Sequence, residues 1–326
     1  MQLPPPLRQA VERELSAHPL AELRVASERL SQNYREPRSS SRPMVNSADR
    51  AAYLGVRLPA TYAAVFHALG WAAQGTNFAP HSALDLGSGP GTALWAACEL
   101  FPSLASVAAV ERDSALVDVA QRMAASAPYP ALREAQWQVA DLTSPLPAEP
   151  CDLVLCSYAL NELSPAQRTE LVTRAWARCK GLLLIVEPGT VAGFANILSA
   201  RTQLLKDGAR IVAPCPNQQP CPMASNDWCH FAARVERTAE HRRLKQAELG
   251  HEDEKFSYMA VAREGFFAEN SDAAPNSARI LRHPRIFSGY AQLTLCTEGK
   301  VEQTTVTRSH KDEWRRLKRL GWGDRW

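Results

Sequence analysis

Three carboxylates, Asp85, Glu111 and Asp141, lie in or directly after three successive short apolar runs of this sequence. Runs of this kind are typical of strands buried in a parallel sheet. The carboxyl ends of parallel strands meet at one edge of the sheet, so we expect the three acids to face one ligand there. A carboxylate attracts a cation and accepts hydrogen bonds from hydroxyl groups. The pattern therefore predicts a small ligand that carries both kinds of group.

A glycine-rich turn follows Asp85, and a helix-forming run begins directly after Thr92. Glycines allow a tight turn and let a ligand lie against bare main chain, while the helix start offers unpaired N–H groups. The spacing is Asp-x-Gly-x-Gly-x-Gly, not the Gly-x-Gly-x-x-Gly of dinucleotide enzymes. An acid within the motif would repel a pyrophosphate, whereas it would attract a sulfonium ligand with an amino-acid tail.

The acids and the turn resemble the S-adenosylmethionine (SAM) site of class I methyltransferases. The resemblance implies that Asp85 serves the methionine end, Glu111 the ribose hydroxyls and Asp141 the adenine. It predicts an α/β, Rossmann-like fold with SAM as cofactor. The expected cofactor-binding residues are Asp85, Gly87, Ser88, Gly89, Gly91, Glu111, Arg112, Asp141, Leu142, Ser157 and Tyr158. The alternative is a Rossmann-like domain whose glycines only shape a turn.

The segment after the fourth apolar run lies where such enzymes usually place their catalytic groups. It has no Asn-Pro-Pro-Tyr clamp to orient a planar amine, and no Pro-Cys nucleophile, because Leu155 precedes Cys156. Tyr158, Asn161 and Glu162 either approach a ligand or form a loop and a helix cap. We therefore assign no catalytic residue, and the sequence supports SAM binding better than methyl transfer.

Four of the eight cysteines, Cys215, Cys221, Cys229 and Cys296, form the second candidate site. Four thiolates are a full set of ligands for a tetrahedral zinc ion or a four-iron cluster. Zinc sites usually contain close Cys-x-x-Cys pairs. The wider intervals here, with two cysteines before proline, favour an iron–sulfur cluster over zinc, and a site without metal is the third possibility. We expect the other cysteines to be small core residues: Cys98, Cys151, Cys156 and Cys179.

The last nineteen residues carry seven basic and three acidic side chains, interleaved with three tryptophans. Basic side chains meet phosphates, and tryptophans stack on unpaired bases, so this tail is a candidate RNA contact. The candidate residues are Arg315, Arg316, Lys318, Arg319 and Trp322. A second basic run, between Arg234 and Lys245, is a candidate extension of this surface. The alternative for either run is an ordinary solvated face.

A more specific resemblance covers the chain from about residue 45 to its end. It is carried by the segment Arg57–Ala64, the cysteines at 215, 221 and 229, Cys296, and the tail sequence Trp322–Asp324. These features resemble the methyltransferase-like assembly factors of the mitochondrial small ribosomal subunit and their bacterial relatives. The resemblance implies a [4Fe-4S] cluster on the four cysteines and binding to small-subunit ribosomal RNA (rRNA) during assembly.

Three functions follow as hypotheses. The first is a SAM-binding, iron–sulfur assembly factor of the small ribosomal subunit. The second is an active rRNA methyltransferase with a structural cluster, and the third is a small-molecule methyltransferase with a structural zinc site and no RNA partner. Methyl transfer is unproven in the first hypothesis and assumed in the other two, and the sequence does not present a base or an oriented nucleophile for it.

The composition sets further expectations. The chain has 326 residues, 45% of them hydrophobic, and a formal net charge of +3. It has no apolar run near the roughly 20 residues of a membrane span, and its start lacks a basic-then-apolar signal pattern. We therefore expect a cytoplasmic, monomeric protein without a membrane partner, in a compartment where cysteines are core residues or metal ligands.

The order of these patterns predicts five regions. We expect an amino-terminal helical region (1–78), a SAM-binding core (79–210), a cysteine-rich insertion with a charged helix over 231–247 (211–250), the last strands of the methyltransferase sheet (251–307) and the basic tail (308–326). The final strands are expected at 256–263 and 289–296, with a further strand over 300–308. Polar loops are expected near 35–47 and 268–278.

Overall fold

The computed structural model describes residues 1–35, 44–74, 76–146, 149–223, 226–245, 248–263 and 278–326. The two polar loops expected from the sequence, 35–47 and 268–278, lie largely outside these residues. None of the helices within the described residues is long and apolar enough to cross a membrane.

The largest structure in the described residues is a sheet of eight strands. Its strands are β1 (Ser82–Leu86), β2 (Ser106–Glu111), β3 (Gln136–Val139), β4 (Cys151–Ser157), β5 (Cys179–Pro188), β6 (Arg210–Ala213), β7 (Phe231–Glu236) and β8 (His251–Ala262). They lie in the order β3-β2-β1-β4-β5-β8-β6, with β7 also paired to β8. The first five are mutually parallel and β8 is antiparallel to β5.

Helices cover both faces of this sheet. The nucleotide-fold helices are α5 (Thr92–Leu100), α6 (Ser114–Ala124), α7 (Pro130–Arg133), α8 (Pro165–Arg178) and α9 (Val191–Lys206). Because both faces are covered, the central strands are apolar along their length, and β5 is buried from Gly181 to Glu187. These alternating elements confirm the α/β fold expected from the sequence.

Four helices precede the sheet: α1 (Pro5–Ser16), α2 (Leu20–Arg35), α3 (Ser47–Val56) and α4 (Leu58–Ala73). The break between α1 and α2 falls at His18-Pro19, where a proline cannot continue a helix. The side chain of Asn46 caps α3 by accepting a hydrogen bond from Asp49 N at 2.9 Å. Helix α4 is buried over most of its length against α5, β7 and β8, so the helical region and the sheet share one core.

Two expectations for the cysteine-rich region were wrong. Residues 211–213 belong to the edge strand β6, and the expected charged helix over 231–247 is a strand, β7, followed by the short helix α10 (Ala239–Lys245). In β7, Phe231, Ala233 and Val235 are buried while Arg234 is exposed. This alternation has the period of two of a half-buried strand, and it outweighs the charges that suggested a helix.

The strand expected at 289–296 as the last of the main sheet lies in a separate sheet. That second sheet contains β9 (Arg279–Ile280), β10 (Arg285–Ile286), β11 (Tyr290–Thr297) and β12 (Lys300–Thr307), and helix α11 (Lys311–Leu317) packs on it. Strand β11 pairs with β12 along eight residue pairs. It has no place in the main sheet because β8 is already paired to β5 on one edge and to β6 and β7 on the other.

Candidate functional site

The turn after β1 has the backbone that its glycines permit. Gly87, Gly89 and Gly91 have φ values of +71°, +54° and +77°, and Gly91 is the N-cap of α5. These values lie in the left-handed region, where a side chain costs about 1 kcal/mol or more. The strand therefore leads through a tight turn into the amino-terminus of a helix, as the sequence predicts.

The absent side chains of this turn are also needed for packing. A Cβ atom at Gly91 would lie 2.7 Å from Cη2 of Trp137 on β3, and one at Gly87 would lie 2.8 Å from Cβ of Ala159. The same Cβ atom at Gly87 would lie 3.3 Å from Cδ1 of Leu142. The turn is thus enclosed by residues that follow β3 and β4, including one of the expected cofactor residues.

Asp85 is completely buried in β1, and neither of its carboxylate oxygens has a hydrogen-bond partner in the described part of the chain. Burial, with a smaller contribution from Glu111, raises the pKa of Asp85 to about 8. Burying a carboxyl group without a hydrogen-bond partner costs free energy. A ligand that brings a cationic or hydrogen-bond-donating group to this position would satisfy it, which fits the role expected from the sequence.

Glu111 ends β2 and binds the glycine turn itself. Its Oε2 accepts from Gly89 N at 2.9 Å and its Oε1 accepts from Asp113 N at 2.9 Å. Each carboxylate oxygen has a further lone pair, so these bonds orient the group while leaving it able to accept from ribose hydroxyls. Ser88, beside Gly89, is buried in the same turn.

Asp141 and Arg112, two more of the residues expected near the ligand, follow the carboxyl ends of β3 and β2. Asp141 is exposed, and its Oδ1 accepts from Thr143 N and Thr143 Oγ1 at 2.8 and 2.6 Å, which lowers its pKa. Arg112 donates to Glu162 Oε2 at 2.9 Å. Burial raises the pKa of Glu162 to about 7, although Arg112 opposes the shift. Glu111, Arg112 and Asp141 thus follow the carboxyl ends of β2 and β3, and their role in binding a ligand stays a prediction.

Ser157 and Tyr158, at the end of β4, also lie at this edge. Tyr158 has a φ of +58°, a left-handed backbone that is unusual for a large side chain. Its hydroxyl donates to Glu254 Oε1 at 3.0 Å, and Glu254 also pairs with Arg57 at 3.3 Å. Strained backbone of this kind concentrates at functional sites. The Tyr158–Glu254 contact joins residues 96 apart in sequence, so the sequence offers no signal for it.

Glu187 was also missed by the sequence analysis. It ends β5 as a fully buried acid that accepts from Leu160 N at 3.2 Å and from Asn196 Nδ2 at 2.9 Å. Burial raises its pKa to about 7. The sequence did contain a signal for Glu187. It follows an apolar run, as Glu111 and Asp141 do, and it comes directly before Pro188. Its bonds fix the segment after β4 rather than leaving the carboxylate open.

The four candidate cysteines converge on one pocket. Cys215, Cys221, Cys229 and Cys296 all line it, together with Arg201 and Arg279 and an apolar remainder that includes Tyr258, Met259 and Leu281. The described residues do not contain a group of three or more side chains already arranged to hold a metal ion. The structure thus brings together the four thiols that the sequence selected, and the metal itself stays a prediction.

The electrostatics of this pocket are unusual for a buried cavity. Burial raises the pKa of the Cys215 thiol and raises that of Cys296 to about 12, and the neighbouring thiols add to both shifts. Arg201 and Arg279 oppose these shifts, and both arginines are buried. The pocket lining therefore contains two cations and no carboxylate. This donor set would fit a metal ion or iron–sulfur core that replaces the thiol protons, with the two arginines offsetting part of the negative charge of the thiolates.

The pocket joins two parts of the chain. Arg279 donates to Pro214 O at 2.8 Å and to Gly323 O at 2.7 Å, and Asn217 donates to Thr297 O at 3.0 Å.

Of the remaining cysteines, Cys98, Cys156 and Cys179 are buried and Cys151 is half-buried. Their positions in helix α5 and strands β4 and β5 agree with the prediction that they are core residues.

The candidate RNA contacts differ in exposure. Arg315, Arg316, Lys318 and Arg319 are exposed on α11 and in the turn after it. Trp322 is half-buried, with its ring edge-on to His230 at 5.1 Å and to His283 at 5.0 Å. The neighbouring tryptophans are also in contact with the protein, since Trp314 is buried and Arg316 lies 5.1 Å over the ring of Trp326.

The second basic run does not extend this surface as a block of uncompensated charge. Arg234 pairs with Asp253 at 2.8 Å, and both Arg237 and Lys245 pair with Glu252, at 3.0 and 2.6 Å. Both acids lie on β8, and Asp253 is the direct cross-strand partner of Arg234. The sequence analysis missed this pairing because it considered each run by itself.

The strand order defines the class of protein. Five parallel strands in the order 3-2-1-4-5, an antiparallel strand beside the fifth, and a glycine turn after β1 are the class I methyltransferase fold. Within that class the chain belongs to the Rsm22 family, described as mitochondrial small ribosomal subunit Rsm22, which it matches over residues 47–326. This confirms the family resemblance found in the sequence.

Two curated relatives give the range of similarity. The human protein "Ribosome assembly protein METTL17, mitochondrial" is 29% identical, over 83% of this chain and 61% of its own length. The fission yeast protein "Rsm22-cox11 tandem protein 2, mitochondrial" is 25% identical, over 74% of this chain and 38% of its own length. The chain thus spans about three fifths and two fifths of the length of these relatives.

Solved structures of similar shape are methyltransferases. One is magnesium protoporphyrin IX methyltransferase from Synechocystis PCC 6803 with bound SAM, at 13% identity and a TM-score of 0.42, covering 72% of this chain and 90% of that one. Another is an O-methyltransferase family protein from Burkholderia thailandensis, at 15% identity and a TM-score of 0.45, covering 73% and 68%. Because both TM-scores are below 0.5, the fold is assigned from the strand order and not from the similarity to these structures.

Proposed function

We propose that this protein is an assembly factor of the small ribosomal subunit that binds SAM and holds an iron–sulfur cluster while it contacts rRNA. Membership of the Rsm22 family over residues 47–326 supports the ribosomal part of the proposal, as does the name of the human relative. The observation that carries the proposal for this chain is the convergence of Cys215, Cys221, Cys229 and Cys296 on one pocket. A methyltransferase fold does not need such a pocket for methyl transfer.

SAM binding is supported by the residues around the glycine turn. Asp85 offers a buried acceptor without a partner, Glu111 is oriented by Gly89 and Asp113, and Asp141 follows β3 at the same edge. When bound, SAM supplies an electrophilic methyl group. In our proposal the methionine end lies near Asp85, the ribose hydroxyls near Glu111 and the adenine near Asp141, with Gly87, Gly91, Arg112, Leu142, Ser157 and Tyr158 enclosing them.

The cluster is supported by the chemistry of the thiol pocket. The four cysteines are the residues that would hold a [4Fe-4S] cluster, and buried Arg201 and Arg279 offset the charge of the four thiolates. When bound, the cluster supplies covalent links between the segment around Cys215–Cys229 and strand β11, which carries Cys296. Strands β4 and β5 lie between β1, which leads into the glycine turn, and β8, which carries the pocket residues Tyr258 and Met259. Because the thiol pocket is thus separated from the proposed SAM site, we propose that the cluster has a structural role. A structural zinc ion on the same thiols is the alternative.

Binding is better supported than methyl transfer. The residue best placed for chemistry at the end of β4 is Tyr158, and its hydroxyl donates to Glu254 within an ion pair with Arg57. Burial and Glu254 raise the pKa of Tyr158 well above its usual value, so it is a poor proton acceptor near neutral pH. Methyl transfer to rRNA is therefore a separate hypothesis that labelled SAM would test.

The experiment is co-sedimentation of the anaerobically purified chain with immature small ribosomal subunits in a sucrose gradient. We expect wild-type protein and a Cys151→Ser control to sediment with the subunit, and the pair Cys221→Ser with Cys296→Ser to lose most of this association. Because Cys151 is a half-buried cysteine outside the pocket, it controls for thiol loss in general. A wild-type chain that stays at the top of the gradient would overturn the proposal.

A further inference from the structure

The exposed face of the second sheet has the composition of a nucleic-acid-binding surface. One face of the sheet, with Ala291, Leu293 and Val306, is buried against α11. Side chains alternate between the two faces along a strand, so the opposite face carries the neighbours of these residues. At the end nearest the β10–β11 turn they are the aromatic, arginine, amide and hydroxyl side chains of Arg285, Phe287, Tyr290, Gln292, Thr294, Gln303, Thr305 and Thr307. We call this set the outer face. The other end of the same face of the sheet carries Cys296 and Val301, which line the thiol pocket.

Two aromatic rings at one end of the outer face are stacked and open to solvent. The rings of Phe287 and Tyr290 lie parallel within 16°, with centroids 4.6 Å apart, and the two residues are 43% and 38% exposed. Phe287 N donates to Tyr290 O at 2.8 Å, so a tight turn fixes the spacing of the pair. All six residues from Arg285 to Tyr290 are exposed. Aromatic rings gain free energy when they are covered, so an exposed stacked pair marks a contact site. The flat outer surface of the stack is suited to a further planar group.

The charge around this pair is positive. Residues 278–326 carry eleven basic and five acidic side chains, a formal charge of +6, whereas the whole chain carries +3. Arg308 donates to Ser288 O at 2.9 Å, which holds its guanidinium at the turn between the two rings. Arg285 lies on the outer face opposite Gln292. The residues assigned to the outer face do not include an acid.

We propose that the outer face binds unpaired RNA, with Phe287 and Tyr290 as the stacking platform for bases. Arg285 and Arg308 would contact phosphates, and Gln292, Gln303 and Thr305 would meet base edges and 2′-hydroxyls. A protein partner is less well supported, because the exposed apolar side chains are limited to Phe287, Tyr290 and the neighbouring Ile286, and the rest of the outer face offers amides and hydroxyls. This inference rests on the proposed function for the presence of RNA, and it assigns the aromatic contact to this face rather than to the tryptophans of the tail.

The test compares the affinity of variants for a labelled, unstructured RNA 12-mer and for the duplex of the same sequence, measured by fluorescence anisotropy. We expect Phe287→Ala with Tyr290→Ala to weaken single-strand binding about tenfold or more, as expected when base stacking is removed. Its slope against salt should stay unchanged, because no charge is removed. Duplex binding should change little, since paired bases are not available for stacking.

Two controls separate stacking from damage to the fold. Exchange of the rings, Phe287→Tyr with Tyr290→Phe, should retain wild-type affinity, and Leu249→Ala should do so as well, since Leu249 is another exposed apolar residue at 63% exposure. Wild-type affinity in the double alanine variant would overturn the assignment of this face while leaving the ribosomal function intact. Lost subunit association with unchanged RNA affinity would assign the face to a protein and also overturn it. A wild-type chain that binds neither RNA nor subunits would overturn both proposals.

Discussion

The backbone N–H of Gly89 donates a hydrogen bond to Glu111 Oε2 at 2.9 Å, so the acid that ends β2 holds the turn that follows β1. The same carboxylate also accepts from Asp113 N, the N-cap residue of α6. A side chain expected to bind ribose therefore also has a structural role. Such contacts orient the carboxylate before a ligand arrives, which reduces the entropy lost on binding.

Asp85→Asn should strengthen the fold and weaken SAM binding. The folded protein raises the pKa of Asp85 from 3.8 to about 8, so between these values it retains a proton that the unfolded chain releases. Stability then falls as pH rises through this window, and the neutral amide removes that loss. We expect the Tm of the variant to exceed that of the wild type at pH 8 and to match it near pH 4.

The control for this comparison is Asp118→Asn, because Asp118 is exposed on α6 and its replacement should leave both Tm and SAM affinity unchanged. SAM affinity is measured by isothermal titration calorimetry. A variant that binds SAM as tightly as the wild type would remove Asp85 from the site. A Tm that falls at pH 8 would contradict the buried, unpartnered carboxyl group.

Gly91→Ala should be more destabilising than Gly208→Ala. Both glycines have nearly the same left-handed backbone, with φ of +77° and +78°. A Cβ at Gly91 would lie 2.7 Å from Trp137, whereas nothing lies within 4 Å of one at Gly208. Both variants lose about 1 kcal/mol to backbone strain, and Gly91→Ala loses roughly 1–3 kcal/mol more to overpacking. Urea denaturation of the two variants measures the difference, and equal losses would contradict the packing of Trp137 over the turn.

Arg279→Met should release iron and loosen the second sheet. Arg279 is buried in the thiol pocket and donates to the carbonyl oxygens of Pro214 and Gly323, which would lose their partner. An unsatisfied buried acceptor costs about 1–3 kcal/mol. We expect less iron per chain and a lower Tm, measured on anaerobically purified protein. Arg242→Met, which removes an exposed arginine on α10, should change neither quantity. Full retention of iron in Arg279→Met would show that the cation is not needed.

Replacement of Arg315, Arg316 and Arg319 by Gln should weaken RNA binding and flatten its dependence on salt. For a single strand, each phosphate that the protein no longer neutralises lowers the slope of log K against log salt by about 0.7, so three such phosphates give roughly 2. The matched control replaces Lys180, Lys206 and Arg242, three exposed basic residues outside the tail. The measurement is a titration of a labelled rRNA fragment with each purified variant at several salt concentrations. Unchanged affinity and slope in the tail variant would assign these arginines to an ordinary solvated face.

The central fold was predictable because its signals are local. Asp85, Glu111 and Asp141 lie in or directly after short apolar runs that form the parallel strands β1, β2 and β3, and the glycine spacing fixes the turn between β1 and α5. The thiol pocket was predictable from residue type and order, although Cys215 and Cys296 are far apart in the chain. Residue type and the family resemblance selected these cysteines without any knowledge of the sheet that carries Cys296.

The parts that were missed depend on strand partners, which a single run of sequence does not specify. Strand β11 has the apolar pattern of a last sheet strand, but β8 has no free edge to accept it. The contacts of Glu254 with Tyr158 and of Trp322 with His230 and His283 likewise arise only after folding. The stacked pair at Phe287 and Tyr290 was not predicted from the sequence. Two aromatic residues three positions apart are brought together only by the turn between β10 and β11, and that turn was not recognised.

The most direct test of the account is the iron and zinc content of the full chain after anaerobic purification, measured together with its absorption spectrum. We predict about four irons per chain, little zinc, and a broad charge-transfer band that is lost when Cys215, Cys221, Cys229 and Cys296 are all replaced by Ser but kept in Cys151→Ser. Protein with neither metal, or with metal that survives the fourfold replacement, would contradict the claim that these cysteines act as one site.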